Sequence, residues 1–243
     1  MKKVSVLLLT IDRFNHCREY ITPALNNAGY PFELCISDNG SVQPEIFEWC
    51  EQQNPKVYFK NGYNYGTAQS LNRMIRANPS DYYVFIGNDI RLPENWLRTF
   101  VQYAEALEEQ AGVIGIDWRG LNYPNKELTT NDGFTKIVWD TTNVFGTMFV
   151  TQTLRNKIGE FCEEYSVYGL WDSDYSIRAT SAGMHNFYLP NLRSHHFGND
   201  VGENTEYRKM KDKSLEAAKP IFDKNHEEYK KGNYYKSYDN GMA

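Results

Sequence analysis

The sequence predicts an α/β fold, a mostly parallel mixed sheet flanked by helices. Two observations carry it. Short apolar runs of strand length alternate with stretches of helical period through the first half of the chain. The clearest run, Tyr82 to Ile86, is aromatic and β-branched and too short for a helix, and it stops at Gly87-Asn88-Asp89 before a polar turn with Pro93.

The elements follow in order. Val4 to Thr10 is expected to be a buried first strand. Lys2 and Lys3 before it imitate a signal peptide, but the apolar run is short and Asp12 and Arg13 follow at once. From about Asn15 to Ala28, the apolar residues Cys17, Tyr20, Ile21, Ala24, Leu25 and Ala28 keep a helical period, and Gly29 supplies a stop. Phe32 to Ser37 reads as a second strand, ending in the turn signal Asp38-Asn39-Gly40-Ser41. A short helix is expected over Pro44 to Gln52, a third strand over Lys56 to Lys60, and a helix over Thr67 to Ala77. After the strand at Tyr82, Glu94 to Glu109 reads as a helix and Val113 to Asp117 as a fifth strand.

The second half is less regular. Gly120 to Asp132, rich in Asn, Thr, Pro and Gly, is expected to be a long loop. Thr135 to Trp139 and Val144 to Val150 read as strands, and Thr151 to Ile158 as a short helix. Gly159 to Leu170 is irregular, and Trp171 to Ala182 has helical spacing. His185 to Leu189 and Leu192 to His196 read as short strands. From Asn204 onward the interleaved Lys and Glu residues predict a solvated C-terminal helix. No repeat or linker divides the chain. One domain over 1–243 is expected, with halves at 1–118 and 119–203 and a helical tail at 204–243.

Composition narrows the function classes. A chain of 243 residues can bury a substantial core. Its net charge of −5, without a long basic stripe, argues against a nucleic-acid partner. No segment approaches the roughly 20 apolar residues of a membrane span. Cys17, Cys35, Cys50 and Cys162 are scattered without CxxC spacing, as expected of reduced thiols in a cytoplasmic protein. Asp89 is expected just past a strand end, where ligands of open α/β sheets bind. A carboxylate there can hold a divalent metal against a phosphate, or simply cap the next turn.

Six segments, in this order, cover nearly the whole length: VSVLLLTIDR, ISDNGS, NYGTAQSLN, FIGNDIRLPENWL, WDSDYSIRATSAG and RSHHFGND. Through them the chain resembles the family 2 glycosyltransferases of the GT-A fold, with a Rossmann-like, nucleotide-binding first half. The resemblance implies transfer of a sugar from a nucleotide-diphosphate donor to an acceptor hydroxyl, with inversion and with Mn²⁺ or Mg²⁺ as cofactor. It implies that Thr10, Asp12 and Arg13 border the base. Asp38 would accept from the base or ribose, although it can equally form an Asx-type turn. Asn64 and Gly66 would meet the donor where a helix begins, or form a glycine turn capped by Thr67.

The family's D-x-D metal motif reads Gly87-Asn88-Asp89 here, so its first carboxylate is missing. The resemblance implies that Asn88 and Asp89 contact the donor there, with Asp89 as a metal ligand. The second ligand falls in RSHHFGND. Neighbouring strand residues face opposite ways, so one of the two histidines should face the site. The alignment favours His195, with His196 as the alternative. In WDSDYSIR, Asp172 matches the general base, and Asp174 reads as a supporting or helix-capping group paired with Arg178. Trp171 could be a stacking platform or core. Gly146 is a candidate for the floor of the sugar pocket. Asp140 and Asp200 are the reserve carboxylates should the base lie elsewhere. The competing class is a non-catalytic nucleotide-sugar or glycan-binding module on the same fold.

Overall fold

The structure is a computed structural model that describes residues 1–165, 167–198 and 205–238. In chain order it contains β1 (Val4–Thr10), α1 (Phe14–His16), a π-helical turn (Cys17–Ile21), α2 (Thr22–Asn26), β2 (Glu33–Asn39), α3 (Pro44–Gln52), β3 (Val57–Asn61) and α4 (Thr67–Ala77). Then come β4 (Tyr82–Gly87), β5 (Ile90–Arg91), α5 (Trp96–Leu107), β6 (Ala111–Asp117), β7 (Asn125–Thr129), β8 (Thr135–Asp140), β9 (Met148–Thr151) and α6 (Gln152–Ile158). The described chain closes with α7 (Trp171–Ser181), β10 (His185–Arg193), β11 (His195–His196) and α8 (Thr205–Lys230).

Nine strands form one mixed sheet in the order β3-β2-β1-β4-β9-β6-β10-β8-β7. The β3-β2-β1-β4 half is parallel, β9 enters antiparallel between β4 and β6, and β10 runs parallel to β6. The register sets Thr10 beside Asp38 and Leu9 beside Gly87. The carboxyl ends of β1, β2 and β4 therefore open on one edge, where crossover connections leave a crevice.

Strand alternation divides the core. Val4, Val6 and Leu8 of β1 join the face covered by α2, α3 and α5, where Trp96 and Phe100 are fully buried. Leu7 points to the other face, with Leu71 and Met74 of α4, Leu154 of α6 and Tyr175 of α7. The four cysteines are free and buried in these two layers. Among the described residues no helix is long and apolar enough to cross a membrane.

Several elements depart from the sequence expectation. The helix expected from Asn15 to Ala28 is interrupted by the π turn at Cys17–Ile21, just ahead of Pro23. The long loop expected over Gly120 to Asp132 contains β7, whose outward residues are polar because it is an edge strand paired only with β8. The strand expected from Val144 is confined to Met148–Thr151, and Val144–Thr147 instead turns over the end of β6, with Gly146 at φ +78° beside Trp118. The two strands expected over His185 to His196 are one long β10 followed by the two-residue β11.

Candidate active site

The site is built where β1, β2, β4 and β6 end. After β1 the chain turns through Asp12 and Arg13, both in the left-handed region at φ +48° and +60°. Such backbone is uncommon for side-chain-bearing residues and persists only where its surroundings hold it. Here they do. Asp12 accepts from the N–H groups of Val42 (2.8 Å) and Gln43 (3.0 Å), while its own N–H donates to Ser41 Oγ (2.7 Å). Asn88 Nδ2 donates to the carbonyls of Ile11 (3.3 Å) and Asp12 (3.0 Å). An acidic side chain at 88 would be acceptor-only when ionised and could not hold this turn.

Thr10 and Asp38 are turned toward each other. Asp38 is fully buried and accepts from Thr10 Oγ1 (2.9 Å), Gly40 N (3.2 Å), Ser41 N (2.9 Å) and Ser41 Oγ. Four donors match the capacity of an ionised carboxylate. In this structure Asp38 forms the Asx-type turn and braces the ends of β1 and β2, with no oxygen left for a base. Asn64 shapes its own loop too, accepting from Gly66 N (2.9 Å) and Asn39 Nδ2 (3.3 Å). Gly66, at φ +89°, leads into α4, whose first turn has no side-chain cap. That end offers free N–H groups to the crevice.

The metal motif lies between β4 and β5. Asp89 Oδ2 is 2.8 Å from Arg13 Nη1 and 3.5 Å from His196 Nε2. The antiparallel pairing of β5 with β11 makes this meeting possible, matching Ile90 with His196 and Arg91 with His195. Phe197 N also donates to the Asp89 carbonyl at 2.8 Å. Of the two histidines, the alternative His196 is the one the structure brings to Asp89. His195 is exposed and packs on the Phe197 ring, whereas His196 faces Asp89. Strand alternation admits one of the pair, and the β5 register selects His196. Its ring lies against Trp118 at 4.8 Å between centroids, and its Nδ1 accepts from Gly198 N (3.2 Å). A Cβ at Gly198 would overlap the imidazole.

No ready cluster of three His, Cys, Asp or Glu groups exists among the described residues. Asp89 Oδ2 and His196 Nε2 nonetheless fit one divalent ion. Adjacent ligands at about 2.1 Å from an ion stand roughly 3 Å apart, close to the observed separation. Two protein ligands leave the other positions to phosphate oxygens and water, the usual arrangement for Mg²⁺.

Asp172 is the second residue of α7, half-buried, and accepts from Ser173 N at 2.8 Å. Loss of hydration lifts its pKa from the usual range to about 6, against the opposing pull of the Ser173 N–H and the Arg119 charge. The Tyr168 phenol, raised first by burial, also feels the charges of Asp172 and Asp89. Both carboxylates thus lie near the Tyr168 phenol. Trp171 meets Phe85 and Phe161 edge-on and is only 8% exposed, so it packs in the core. Asp174 is no helix cap. It is fully buried, paired with Arg178 at 3.1 Å, and accepts from Tyr165 Oη (2.9 Å), Tyr229 Oη (2.7 Å) and Asn225 Nδ2 (3.2 Å). Asp140 is engaged with Lys126 at the outer sheet, and Asp200 lies outside the described residues.

Sequence reasoning missed the end of β6. Asp117, fully buried, accepts from Arg119 N (3.1 Å), Gly120 N (2.9 Å) and Tyr123 Oη (2.9 Å), and pairs with Arg193. This aims Arg119 across the cleft, where its guanidinium reaches Tyr123 Oη (2.8 Å) and lies 4.7 Å from the Phe145 ring. The buried donors Trp118 Nε1 and Arg119 Nε and the hydroxyl of Thr147 have no protein partner. The signal was available: Trp118 and Arg119 follow a strand end, as Asp89 does.

Comparison with known proteins bears on the family and the fold. The family model described as glycosyl transferase family 2 matches residues 5–168, more than half of the chain. No curated protein matches. Among solved structures, the chain is similar to a mannosyltransferase from Pyrobaculum calidifontis held with GDP-Man and Mn²⁺, at 16% identity and a TM-score of 0.64, covering 84% of this chain and 59% of that one. It is similar to GalNAc-T7 with UDP, GalNAc and Mn²⁺, at 12% identity and a TM-score of 0.63, covering 81% and 44%. It is also similar to S. aureus TarS 1-349 in complex with UDP, at 16% and 0.60, covering 79% and 59%. At these identities the likeness concerns the fold, and the chain spans less than two thirds of each of those three structures. Fold and family model together place the chain in glycosyl transferase family 2.

Proposed function

We propose that this protein is an inverting glycosyltransferase that moves a sugar from a nucleotide-diphosphate donor to an acceptor hydroxyl. The observation that carries this reading is Asp172, a carboxylate with a pKa of about 6 near the same Tyr168 phenol as Asp89 of the Asp89–His196 pair. At neutral pH it is ionised and basic enough to take the acceptor's proton. The freed oxygen attacks the anomeric carbon, and the bond to the donor phosphate breaks with its electron pair leaving on the diphosphate. Attack from the side opposite the phosphate inverts the centre. Mn²⁺ or Mg²⁺ held by Asp89 and His196 would neutralise charge on the leaving diphosphate. The free N–H groups at the start of α4, the Arg119 guanidinium and Trp118 Nε1 would donate to phosphate or sugar oxygens. Gly146 keeps the floor beside Trp118 low. The Asp12–Arg13 turn and the Asp38 and Asn64 loops support the nucleotide end by fixing the crevice walls.

The test is release of nucleoside diphosphate from a panel of UDP-, GDP- and dTDP-sugars, with acceptor glycans and Mn²⁺. The wild type should turn over one donor class while Asp172→Asn binds that donor with turnover lowered by at least about 100-fold. Donor binding with no turnover by the wild type on any acceptor would favour the binding-module alternative.

A further inference from the structure

We propose that Arg13 is a built-in cation that occupies the metal's place on Asp89 until a donor diphosphate draws it away. The inference rests on the metal assignment above and extends it to a residue that binds no metal.

The geometry is specific to one oxygen. Arg13 Nη1 and His196 Nε2 both address Asp89 Oδ2, at 2.8 Å and 3.5 Å. An ion seated between Asp89 and His196 as they stand would meet that same oxygen. The guanidinium and the ion would then compete for one acceptor atom, and charge repulsion between them favours one at a time. The imidazole is held in place as well, because Gly198 N–H donates to Nδ1 and leaves Nε2 turned to Asp89. Metal loading therefore breaks the Arg13 contact.

The pairing is not a chance surface contact. The Arg13 and Asp89 side chains are 17% and 23% exposed, and Arg13 reaches Asp89 only because residues 12 and 13 adopt left-handed backbone, held by Asn88 from the metal motif itself. The missing first carboxylate of the motif completes the case. With Gly87 at that position, Asp89 is the motif's only anion, and one guanidinium neutralises it. Once freed, Arg13 remains at the end of β1, beside the crevice, where a bidentate fork suits a phosphate. Metal and donor thus bind as a linked pair, and the metal alone binds weakly.

Mn²⁺ binding followed by loss of the free-ion EPR signal tests this, with UDP and GDP as probes. A latch closed about nine-tenths of the time weakens apparent metal affinity about tenfold. Arg13→Gln should therefore bind Mn²⁺ alone about tenfold more tightly than the wild type, with Arg13→Lys in between, and nucleoside diphosphate should improve metal affinity less in Arg13→Gln. An Arg13→Gln isotherm for Mn²⁺ alone equal to or weaker than the wild type's overturns the latch. Should Arg13→Gln fail to fold, wild-type protein in which Mn²⁺ and nucleoside diphosphate bind independently overturns it equally. The metal assignment fails separately: wild type and Asp89→Ala would then show the same Mn²⁺ affinity with nucleoside diphosphate present, which removes both readings.

Discussion

The burial that lifts Asp172 to about 6 is also a cost to the folded state. Its folded pKa lies above the unfolded value, so the penalty is full above about 6 and vanishes below the ordinary carboxylate pKa near 4. Asp172→Asn should therefore be more stable than the wild type in urea at pH 7.5, by roughly 1 kcal/mol or more, and the gap should close as pH falls from 6 to 4. The same substitution should lower turnover by about 100-fold to 10,000-fold. Turnover by the wild type should fall with unit slope below pH 6, and a flat rate from pH 5 to 8 would remove Asp172 from the proton's path. The histidines separate as cleanly. His196→Ala should weaken Mn²⁺ binding in the presence of nucleoside diphosphate, whereas His195→Ala should leave it near the wild-type value, and calorimetry reads the order directly. The motif order marked both histidines, but the choice between them depends on the two-residue β5–β11 ladder. A two-residue pairing has no periodicity for a sequence to display.

At the scale of elements, α7 carries Asp172 and Asp174, and α8 holds α7. Asp174 collects two tyrosine hydroxyls, an asparagine amide and Arg178 with no exposure to water. Two of those partners, Asn225 and Tyr229, come from α8. Arg178 in turn donates to the carbonyls of Ile158 (3.1 Å) and Glu160 (2.8 Å), fixing the segment that follows α6. Removing the carboxylate charge strands a buried guanidinium, a loss of about 3–5 kcal/mol. Asp174→Asn should thus lower the urea midpoint sharply, and a change under 1 kcal/mol would mean that the seam between α7 and α8 carries little stability. The i, i+4 pairing of Asp174 with Arg178 was legible, because both lie on one helical face. The network was not, because Asn225 and Tyr229 are more than 50 residues away and sit on a helix whose composition reads as solvated. Edge strand β7 escaped for a related reason: one side faces water, so its apolar alternation is too sparse to stand out from a loop.

Across the whole molecule, the first half was legible nearly element by element. α3 and α4 begin and end at the expected residues, because each has a clear start in Pro44 or Gly66 and an apolar face of helical period. The parallel order followed from alternation, and the strand-end rule located Asp89. Side-chain direction was beyond that rule. Thr10 and Asp38 sit at the correct edge, yet their hydrogen bonds run to each other and to the loop after β2. The β6 end, with Asp117, Trp118 and Arg119, makes up the opposite wall without any motif to announce it. The fold leaves one edge on which the uncapped start of α4, the Asp89–His196 pair and Asp172 are held by separate elements.

The most direct test of this account is a thermal melt of wild type and Asp89→Ala with UDP- and GDP-sugars, with and without Mn²⁺. A donor at 100 times its dissociation constant should add about 2.7 kcal/mol, or about 5–10 °C for a chain of this size. The account predicts that one donor class raises the wild-type midpoint by that amount only when Mn²⁺ is present, and that Asp89→Ala melts unchanged by either. A donor-induced shift of equal size in Asp89→Ala, or no shift of the wild type with any donor, would contradict it.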